Sequence, residues 1–146
     1  MQIAPDDRTL YIIESGAAPD GARMIRAFDL AAGGTARNGR VLFDFPGRSG
    51  DGMSVDVDGN LYVAAGLNEP APPGALAAAR AWTADALMTR AGVYVISPAG
   101  RLLRFIPIAE DVITNTAFGG ADMKTLYVTA GRTLFRLQNP IAGLPR

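Results

Sequence analysis

Hydrophobic and polar residues alternate along most of this chain, in short runs separated by glycine, proline and aspartate. The run from Ser54 to Ala64 shows the pattern clearly. Val55 and Val57 alternate with Asp56 and Asp58, which is the two-residue period of a half-buried strand. This period predicts a strand whose valines face the core and whose aspartates face solvent.

Similar runs, rich in β-branched and aromatic residues and bounded by turn residues, predict short strands along the rest of the chain. They lie at Thr9–Glu14, Arg23–Leu30, Arg40–Phe45, Leu61–Ala64, Gly92–Ile96, Arg101–Pro107, Ala117–Gly120, Thr125–Thr129 and Thr133–Leu137. Between two of them, Asp58-Gly59-Asn60 is a hairpin signal, because Gly and Asn tolerate the positive φ of tight turns. The pattern therefore predicts an all-β fold.

One pattern, leucine–tyrosine followed by isoleucine or valine, occurs three times. The copies are Leu10-Tyr11-Ile12, Leu61-Tyr62-Val63 and Leu126-Tyr127-Val128, and each is followed by a further strand. Their tyrosines lie 51 and 65 residues apart, and the second spacing falls to 41 when the 24-residue segment Asn68–Ala91 is left out. A period of about 40–50 residues built from short strands is typical of β-propeller blades. The repeat predicts a partial β-propeller of three four-stranded blades.

The segment Asn68–Ala91 differs from its surroundings. It begins with prolines and continues as an alanine-rich stretch, and because alanine is the best helix former, a helix is predicted from Ala75 to Met88. The simplest interpretation is one helical insertion on the surface of the β fold. The alternative is a lid over a pocket, with Trp82 as an aromatic wall.

Composition excludes several classes of function. The formal net charge is zero, with 14 basic and 14 acidic residues, and without a basic stripe nucleic acid is not expected as a partner. No apolar run reaches the roughly 20 residues of a membrane span, so no membrane partner is expected, and Met1–Asp6 does not resemble a signal peptide. The chain has no cysteine and no histidine. It therefore lacks a Ser-His-Asp triad and a His-ligated zinc site, and any metal would need oxygen ligands, which favours Ca²⁺ or Mg²⁺.

Two polar positions are candidates for chemistry. Asp51 stands in the loop-like step Asp51-Gly52-Met53, where it offers a carboxylate at the mouth of a strand; the alternative is a turn aspartate that binds its own backbone. Asn115 could line a substrate cavity, or its amide could satisfy nearby backbone groups. Glu14, Asp56 and Asp58 are weaker candidates for metal ligands.

With these residues identified, the chain resembles the C-terminal half of the gluconolactonase, regucalcin and senescence marker protein family of six-bladed propellers. The Asp-Gly-Met step at 51–53 and the Asn-x-x-Phe-Gly-Gly step at 115–120 are the most specific parts of the match. The matching segments are Pro5–Tyr11, Gly50–Asp56, Gly59–Ala64, Gly92–Pro98 with Gly100, Thr114–Gly120 and Thr125–Thr129. The resemblance implies that residues 1–139 form three of six blades, with residues 68–91 as an insertion and residues 140–146 as a tail.

The family resemblance also implies an activity, the metal-dependent hydrolysis of sugar lactones. Family members hold one divalent cation at the central axis: calcium first, with zinc, magnesium or manganese as alternatives. Of the family's three ligands, the aspartate of the Asp-Gly-Met step corresponds to Asp51, as both metal ligand and general base. The matching asparagine and glutamate would lie ahead of Met1. We therefore expect a fragment that is inactive alone and whose cation binding alone is doubtful, with a lactone or sugar acid as the small-molecule partner and no other cofactor.

A second hypothesis is a non-catalytic propeller fragment that serves as a structural, interaction or sugar-binding module. Three blades leave sheet edges open, so self-association is expected under this hypothesis. The absence of cysteine is compatible with either the cytoplasm or the periplasm for the full-length protein, and the localisation stays open.

Overall fold

The computed structural model describes residues 1–16, 21–69 and 84–145. These residues form eleven strands and one short 3-10 helix at Ala84–Met88. The strands are β1 (Gln2–Ile3), β2 (Thr9–Ser15), β3 (Arg23–Leu30), β4 (Ala36–Asp44), β5 (Gly50–Val55), β6 (Leu61–Ala65), β7 (Gly92–Ile96), β8 (Leu102–Pro107), β9 (Ile113–Gly119), β10 (Thr125–Ala130) and β11 (Thr133–Gln138). Within the described residues, no helix is long and apolar enough to cross a membrane.

The strands form three antiparallel sheets in chain order. The first has the order β1-β2-β3-β4, the second β5-β6-β7-β8, and the third β11-β10-β9 in the described residues. The second sheet lies between the other two, because β5 contacts β1, β2 and β3 on one side while β5 and β6 contact β9 on the other. The predicted all-β partial propeller of three blades is confirmed, although the third sheet shows three strands where four were expected.

The three copies of the leucine–tyrosine pattern pack the sheets together. Tyr11 of the first sheet is buried in one core cluster with Leu61 and Val63 of the second. Tyr62 points to the opposite side of the second sheet and is buried in the other cluster with Leu126 and Val128 of the third. Neighbouring residues of a strand point to opposite faces. The tyrosines of the first and second sheets therefore point toward the next sheet, and the aliphatic pairs of the second and third sheets point toward the previous one.

The predicted orientation of Asp56 is wrong. Asp56 is fully buried, while Val57 is 46% exposed, because β5 ends at Val55 and the chain turns before the strand period can continue. The Asp56 carboxylate accepts hydrogen bonds from four donors within the hairpin: the N–H groups of Asp58 (3.0 Å) and Asn60 (2.8 Å), the Asn60 side-chain amide (2.9 Å) and the Tyr62 hydroxyl (3.2 Å). A buried carboxylate needs such partners, and Asp58 is exposed as predicted.

The residues after β11 return to the second sheet. The N–H of Val57 donates to the carbonyl of Ala142 at 3.0 Å, and the N–H of Leu144 donates to the carbonyl of Val55 at 2.9 Å. The Asn139 side-chain amide donates to the Tyr62 hydroxyl at 2.9 Å. The tail is therefore paired with the end of β5 and joined to the Asp56 network.

Burial of this network makes stability sensitive to alkaline pH. Burial raises the pKa of Tyr62 from 10.0 to about 12, opposed by the hydrogen bond from Asn139 and reinforced by the charge of Asp56. The unfolded chain ionises first, so the contribution of Tyr62 is fully present below pH 10 and is lost as the pH rises from 10 to about 12. We expect the free energy of unfolding to fall by up to about 3 kcal/mol across this window, measured by urea denaturation.

The variant Tyr62→Phe should show a shallower decline over the same window. A residual slope will remain, because burial also raises the pKa values of Tyr11 and Tyr94. Tyr127→Phe is the matched control, since Tyr127 lies on the face of the third sheet that is turned away from the second. Equal slopes in Tyr62→Phe and the parent protein would contradict the assignment.

Only the end of the predicted helical insertion falls within the described residues. There, Ala84–Met88 form a 3-10 helix rather than the end of an α-helix. The remainder of the predicted helix, including Trp82, lies outside the described residues, as do residues 70–74.

Candidate functional site

Asp51 lies on an irregular part of β5, the edge strand of the second sheet. The pairing of β5 with β6 shifts register between Gly50 and Met53, and such irregularities re-aim side chains near functional sites. Asp51 is exposed, whereas Gly50 and Met53 are buried. The irregularity thus presents one carboxylate to solvent from a strand that is otherwise packed.

The glycines on either side of Asp51 let β5 approach its neighbours closely. A Cβ on Gly50 would lie 2.6 Å from the Val63 side chain. A Cβ on Gly52 would overlap the side-chain oxygen of Asn115 and lie 2.6 Å from the carbonyl oxygen of Thr114. Any side chain at Gly52 would therefore push β5 away from β9.

Asn115, which the sequence named as a possible cavity wall, lies beside Gly52 of the Asp-Gly-Met step. Its side-chain oxygen also accepts the N–H of Thr116 at 2.9 Å, which is the backbone role considered as the alternative. Behind it, the Thr116 hydroxyl donates to the carbonyl of Tyr62 at 2.7 Å and meets the Ser54 hydroxyl at 2.9 Å. These bonds fix β9 against the second sheet and set the position of Asn115 relative to Gly52.

Arg48 is a cation near Asp51 that sequence reasoning missed. Its side chain is partly buried, and burial lowers the pKa of the guanidinium, while the nearby carboxylates of Asp51 and then Asp111 act in the opposite direction. A nearby carboxylate favours the ionised form of a guanidinium. The site therefore combines an exposed carboxylate with a guanidinium and a second acid from the loop after β8.

The start of the insertion is anchored to this second acid. The Asp111 carboxylate accepts the N–H groups of Asn68 and Glu69, both at 2.9 Å. The Asn68 side-chain amide donates to the carbonyl of Ile108 at 3.0 Å. The insertion thus leaves the second sheet next to a carboxylate that acts on Arg48.

The end of the insertion is anchored to the loop that leads into β5. The N–H of Gly47 donates to the Thr89 hydroxyl at 2.9 Å, and the N–H of Arg48 donates to the carbonyl of Ala86 at 3.3 Å. A Cβ on Gly47 would lie 2.9 Å from both the Ala86 carbonyl oxygen and the Thr89 nitrogen, so only glycine fits there without displacement. Both ends of the insertion therefore border the candidate site.

The described residues do not form a complete metal site. Among them, no group of three acidic side chains could hold an ion, and Ca²⁺ takes six to eight oxygen ligands. The weaker candidates have other roles: Glu14 forms a 2.9 Å ion pair with Arg26, Asp56 is buried among four donors, and Asp58 is an exposed turn residue. Asp51 can supply one oxygen donor but cannot hold a cation by itself.

Comparison with known proteins decides the family. The sequence model of the protein family described as SMP-30/gluconolactonase/LRE-like region matches residues 1–132 of this chain. The chain belongs to this family. The resemblance seen in the sequence is thereby confirmed.

Solved structures of this family share the fold. The chain is similar to a gluconolactonase from Xanthomonas campestris (26% identity, TM-score 0.67, covering 94% of this chain and 36% of that one). It is also similar to a luciferin-regenerating enzyme (27% identity, TM-score 0.63, 88% and 35%). A calcium-binding regucalcin from Agrobacterium tumefaciens (20% identity, TM-score 0.64, 89% and 36%) shows the same fold. The chain spans little more than a third of the length of each of these proteins.

Proposed function

We propose that this family member supplies one part of a lactonase-type active site, with Asp51 as its reactive carboxylate. The observation that carries the proposal is the position of Asp51, exposed on an irregular strand between two glycines that hold the neighbouring strands close. Membership of the gluconolactonase family and the likeness to the Xanthomonas campestris enzyme support the substrate class, a sugar lactone.

The chemistry assigned to Asp51 is that of a general base. A water molecule attacks the lactone carbonyl and loses a proton to the Asp51 carboxylate, the ring C–O bond breaks, and the leaving oxygen takes up a proton. The product is the open hydroxy acid, so water is the sole co-reactant. Arg48, a cation near Asp51, lies where it can interact with the negative charge that the lactone oxygen gains as water attacks.

A divalent cation, calcium first, would be held here only if other residues joined Asp51 as ligands. Asp51 is an oxygen donor of the type that such ions prefer, but the described residues offer no group of three acids around it. The proposal therefore takes the other ligands from beyond the described residues and predicts that the chain alone is inactive.

A hybrid protein tests this proposal. Residues 1–132 of this chain replace the matching segment of the Xanthomonas campestris gluconolactonase, and the opening of gluconolactone is followed by acid release above the spontaneous rate. We expect the hybrid to open the lactone and the 146-residue chain alone to leave the spontaneous rate unchanged. A hybrid that unfolds cooperatively, and so is folded, but shows no activity would overturn the proposal.

The second candidate is a non-catalytic module that binds a sugar acid. The observation that favours it is the partly buried guanidinium of Arg48 near Asp51 and Asp111, because the planar guanidinium fork matches the geometry of a carboxylate. Calorimetric titration of the 146-residue chain with gluconate separates the two candidates. Saturable binding that is lost in Arg48→Gln would favour the module, whereas no binding would favour the incomplete active site.

A further inference from the structure

The two interfaces between the sheets are built alike: a tyrosine of one sheet packs against two aliphatic side chains of the next. One tyrosine and one aliphatic pair of the described residues have no such contact. Tyr11 packs on the Leu61 and Val63 pair, and Tyr62 packs on the next such pair. The third tyrosine, Tyr127, lies on the outer face of the third sheet, and the first aliphatic pair, Leu10 and Ile12, lies on the outer face of the first. In the described residues, neither outer face packs against another sheet.

The outer face of the first sheet is apolar at its centre. Leu10 pairs with Phe28 across the strands, and Ile12 lies in a row with Arg26 and Val41. All three aliphatic side chains keep solvent exposure, and Val41 is 52% exposed. If a partner covered this face, Leu10 and Ile12 would become buried as Leu61 and Val63 are buried between the first and second sheets.

The outer face of the third sheet is the matching half. Tyr127 stands between Ala117 and Arg136 in one cross-strand row, and the adjacent row ends in Leu134, which is 63% exposed. Arg136 is exposed on this face.

The charges of the two outer faces are complementary. The first sheet carries Glu14 and Asp44 in one row with Met24. Glu14 already pairs with Arg26 of the same face at 2.9 Å, so Asp44 is the acid that would meet a cation of the partner. The third sheet presents Arg136. The two faces of one chain are thus suited to each other, but they lie on opposite sides of the molecule.

We infer that the Tyr127 face of one copy docks on the Leu10–Ile12 face of a second copy, and that two copies close a ring of six sheets. The contact is head-to-tail and occurs twice, once in each direction, so that a two-fold rotation closes the ring. Six blades lie within the range in which propellers close and protect their edges. The occupant of each outer face is therefore another copy of the surface that already packs inside the chain.

This arrangement has a consequence for the candidate site, which rests on the proposed function. The edge strands β1, β5 and β9 contact one another in sequence, so they line one side of the three-sheet unit. In the ring, this side of each copy would face the partner across a central channel. The Asp51 residues of the two copies would then face the same channel. The association itself is measured by mass and does not depend on any lactonase activity.

Light scattering after size exclusion tests the ring over a wide concentration series. We expect the 146-residue chain at twice the 15.3 kDa mass of one copy. Ile12→Glu and Tyr127→Glu should each give single copies, because each places a carboxylate in both contacts. Leu103→Glu, which changes an apolar side chain that is 51% exposed on the outer strand of the middle sheet, is the matched control and should remain a pair.

Mixing the two variants gives the decisive result. A mixed pair contains one contact with both substitutions and one contact with neither, so pairs should reappear when Ile12→Glu and Tyr127→Glu copies are combined. This recovery also shows that both variants are folded. A single-copy mass for the parent chain, open assemblies that grow with concentration, pairs that survive both substitutions, or no recovery on mixing would each overturn the inference. A single-copy mass would indicate that other blades of a longer polypeptide cover these faces.

Discussion

Replacing Asp56 by alanine is expected to lower the free energy of unfolding by about 3–5 kcal/mol. The carboxylate is fully buried and accepts four hydrogen bonds. Removing it leaves buried donors without an acceptor, at about 1–3 kcal/mol for each donor that stays dry, and water entering the cavity offsets part of that loss. The total places this substitution among the most destabilising single changes.

The effect should extend beyond the hairpin. The Tyr62 hydroxyl donates to Asp56 and accepts from the Asn139 amide, and Asn139 also holds the tail through the carbonyl of Ile141 at 2.7 Å. Losing the carboxylate therefore loosens the contact between the second sheet and the tail. Hydrogen exchange should show lower protection at the N–H of Leu144, which donates to Val55.

Urea denaturation at neutral pH measures the change in stability. Asp58→Ala is the matched control, since Asp58 is an exposed aspartate two residues away in the same hairpin, and surface substitutions of this kind stay within about 0.5 kcal/mol. A loss below about 1 kcal/mol for Asp56→Ala, or an equal loss for both variants, would show that the buried carboxylate is not a main support of the hairpin.

Asp56 also shows where sequence periodicity stops being informative. The alternation predicted β6, but it displaced β5 at both ends. It began the strand at Ser54 and treated Asp51-Gly52-Met53 as a loop, whereas β5 runs from Gly50 to Val55. It also carried the strand past Val55 and so assigned Val57 to the core. The chain turns there because Asp56 captures the hairpin's donors, and a period of two contains no information on side-chain hydrogen bonds. A carboxylate two residues before an Asx-Gly-Asn turn was the available signal, since aspartate readily binds backbone N–H groups two residues ahead.

The repeat was the most informative part of the sequence for the fold. Three copies of one pattern sufficed to predict three blades, because the same pattern occupies the second strand of each sheet and supplies the residues of both interfaces between the sheets. The repeat could not predict the number of strands in the third sheet, since strand count depends on pairing partners. The helical interpretation of residues 75–88 relied on alanine content alone, and the described end of that segment is a 3-10 helix held by Gly47 and Arg48.

The sequence could propose candidate residues only where they lie within a recognisable motif. Asp51 and Asn115 came from two steps of the family pattern, and the structure places Asn115 against Gly52, the neighbour of Asp51, whose missing side chain lets β9 approach. Arg48 and Asp111 were missed because they reach the site through loops, 63 residues apart in the sequence. Only the short distance in sequence between Arg48 and Asp51 could have indicated the first, and nothing in the sequence indicated the second.

In the hybrid gluconolactonase, Asp51→Asn is expected to lower kcat by about 100- to 10,000-fold. An amide keeps the size and exposure of the side chain but cannot accept the proton that water loses, and a positioned general base contributes about this much to a rate. Because Asp51 is exposed and asparagine tolerates irregular strand conformations, the unfolding transition of the variant should match that of the parent hybrid. The rate is measured by acid release at saturating gluconolactone.

The matched control for this substitution is Asp58→Asn, an exposed aspartate on the same hairpin that lies away from the irregular part of β5. It should leave kcat unchanged. If Asp51→Asn raised KM while kcat stayed the same, Asp51 would bind the sugar without accepting a proton, and the sugar-binding alternative would be favoured. If both constants stayed the same in a folded variant, the carboxylate would be a surface residue that the irregular strand exposes without chemical use, and the family's chemistry would have to be assigned elsewhere in the hybrid.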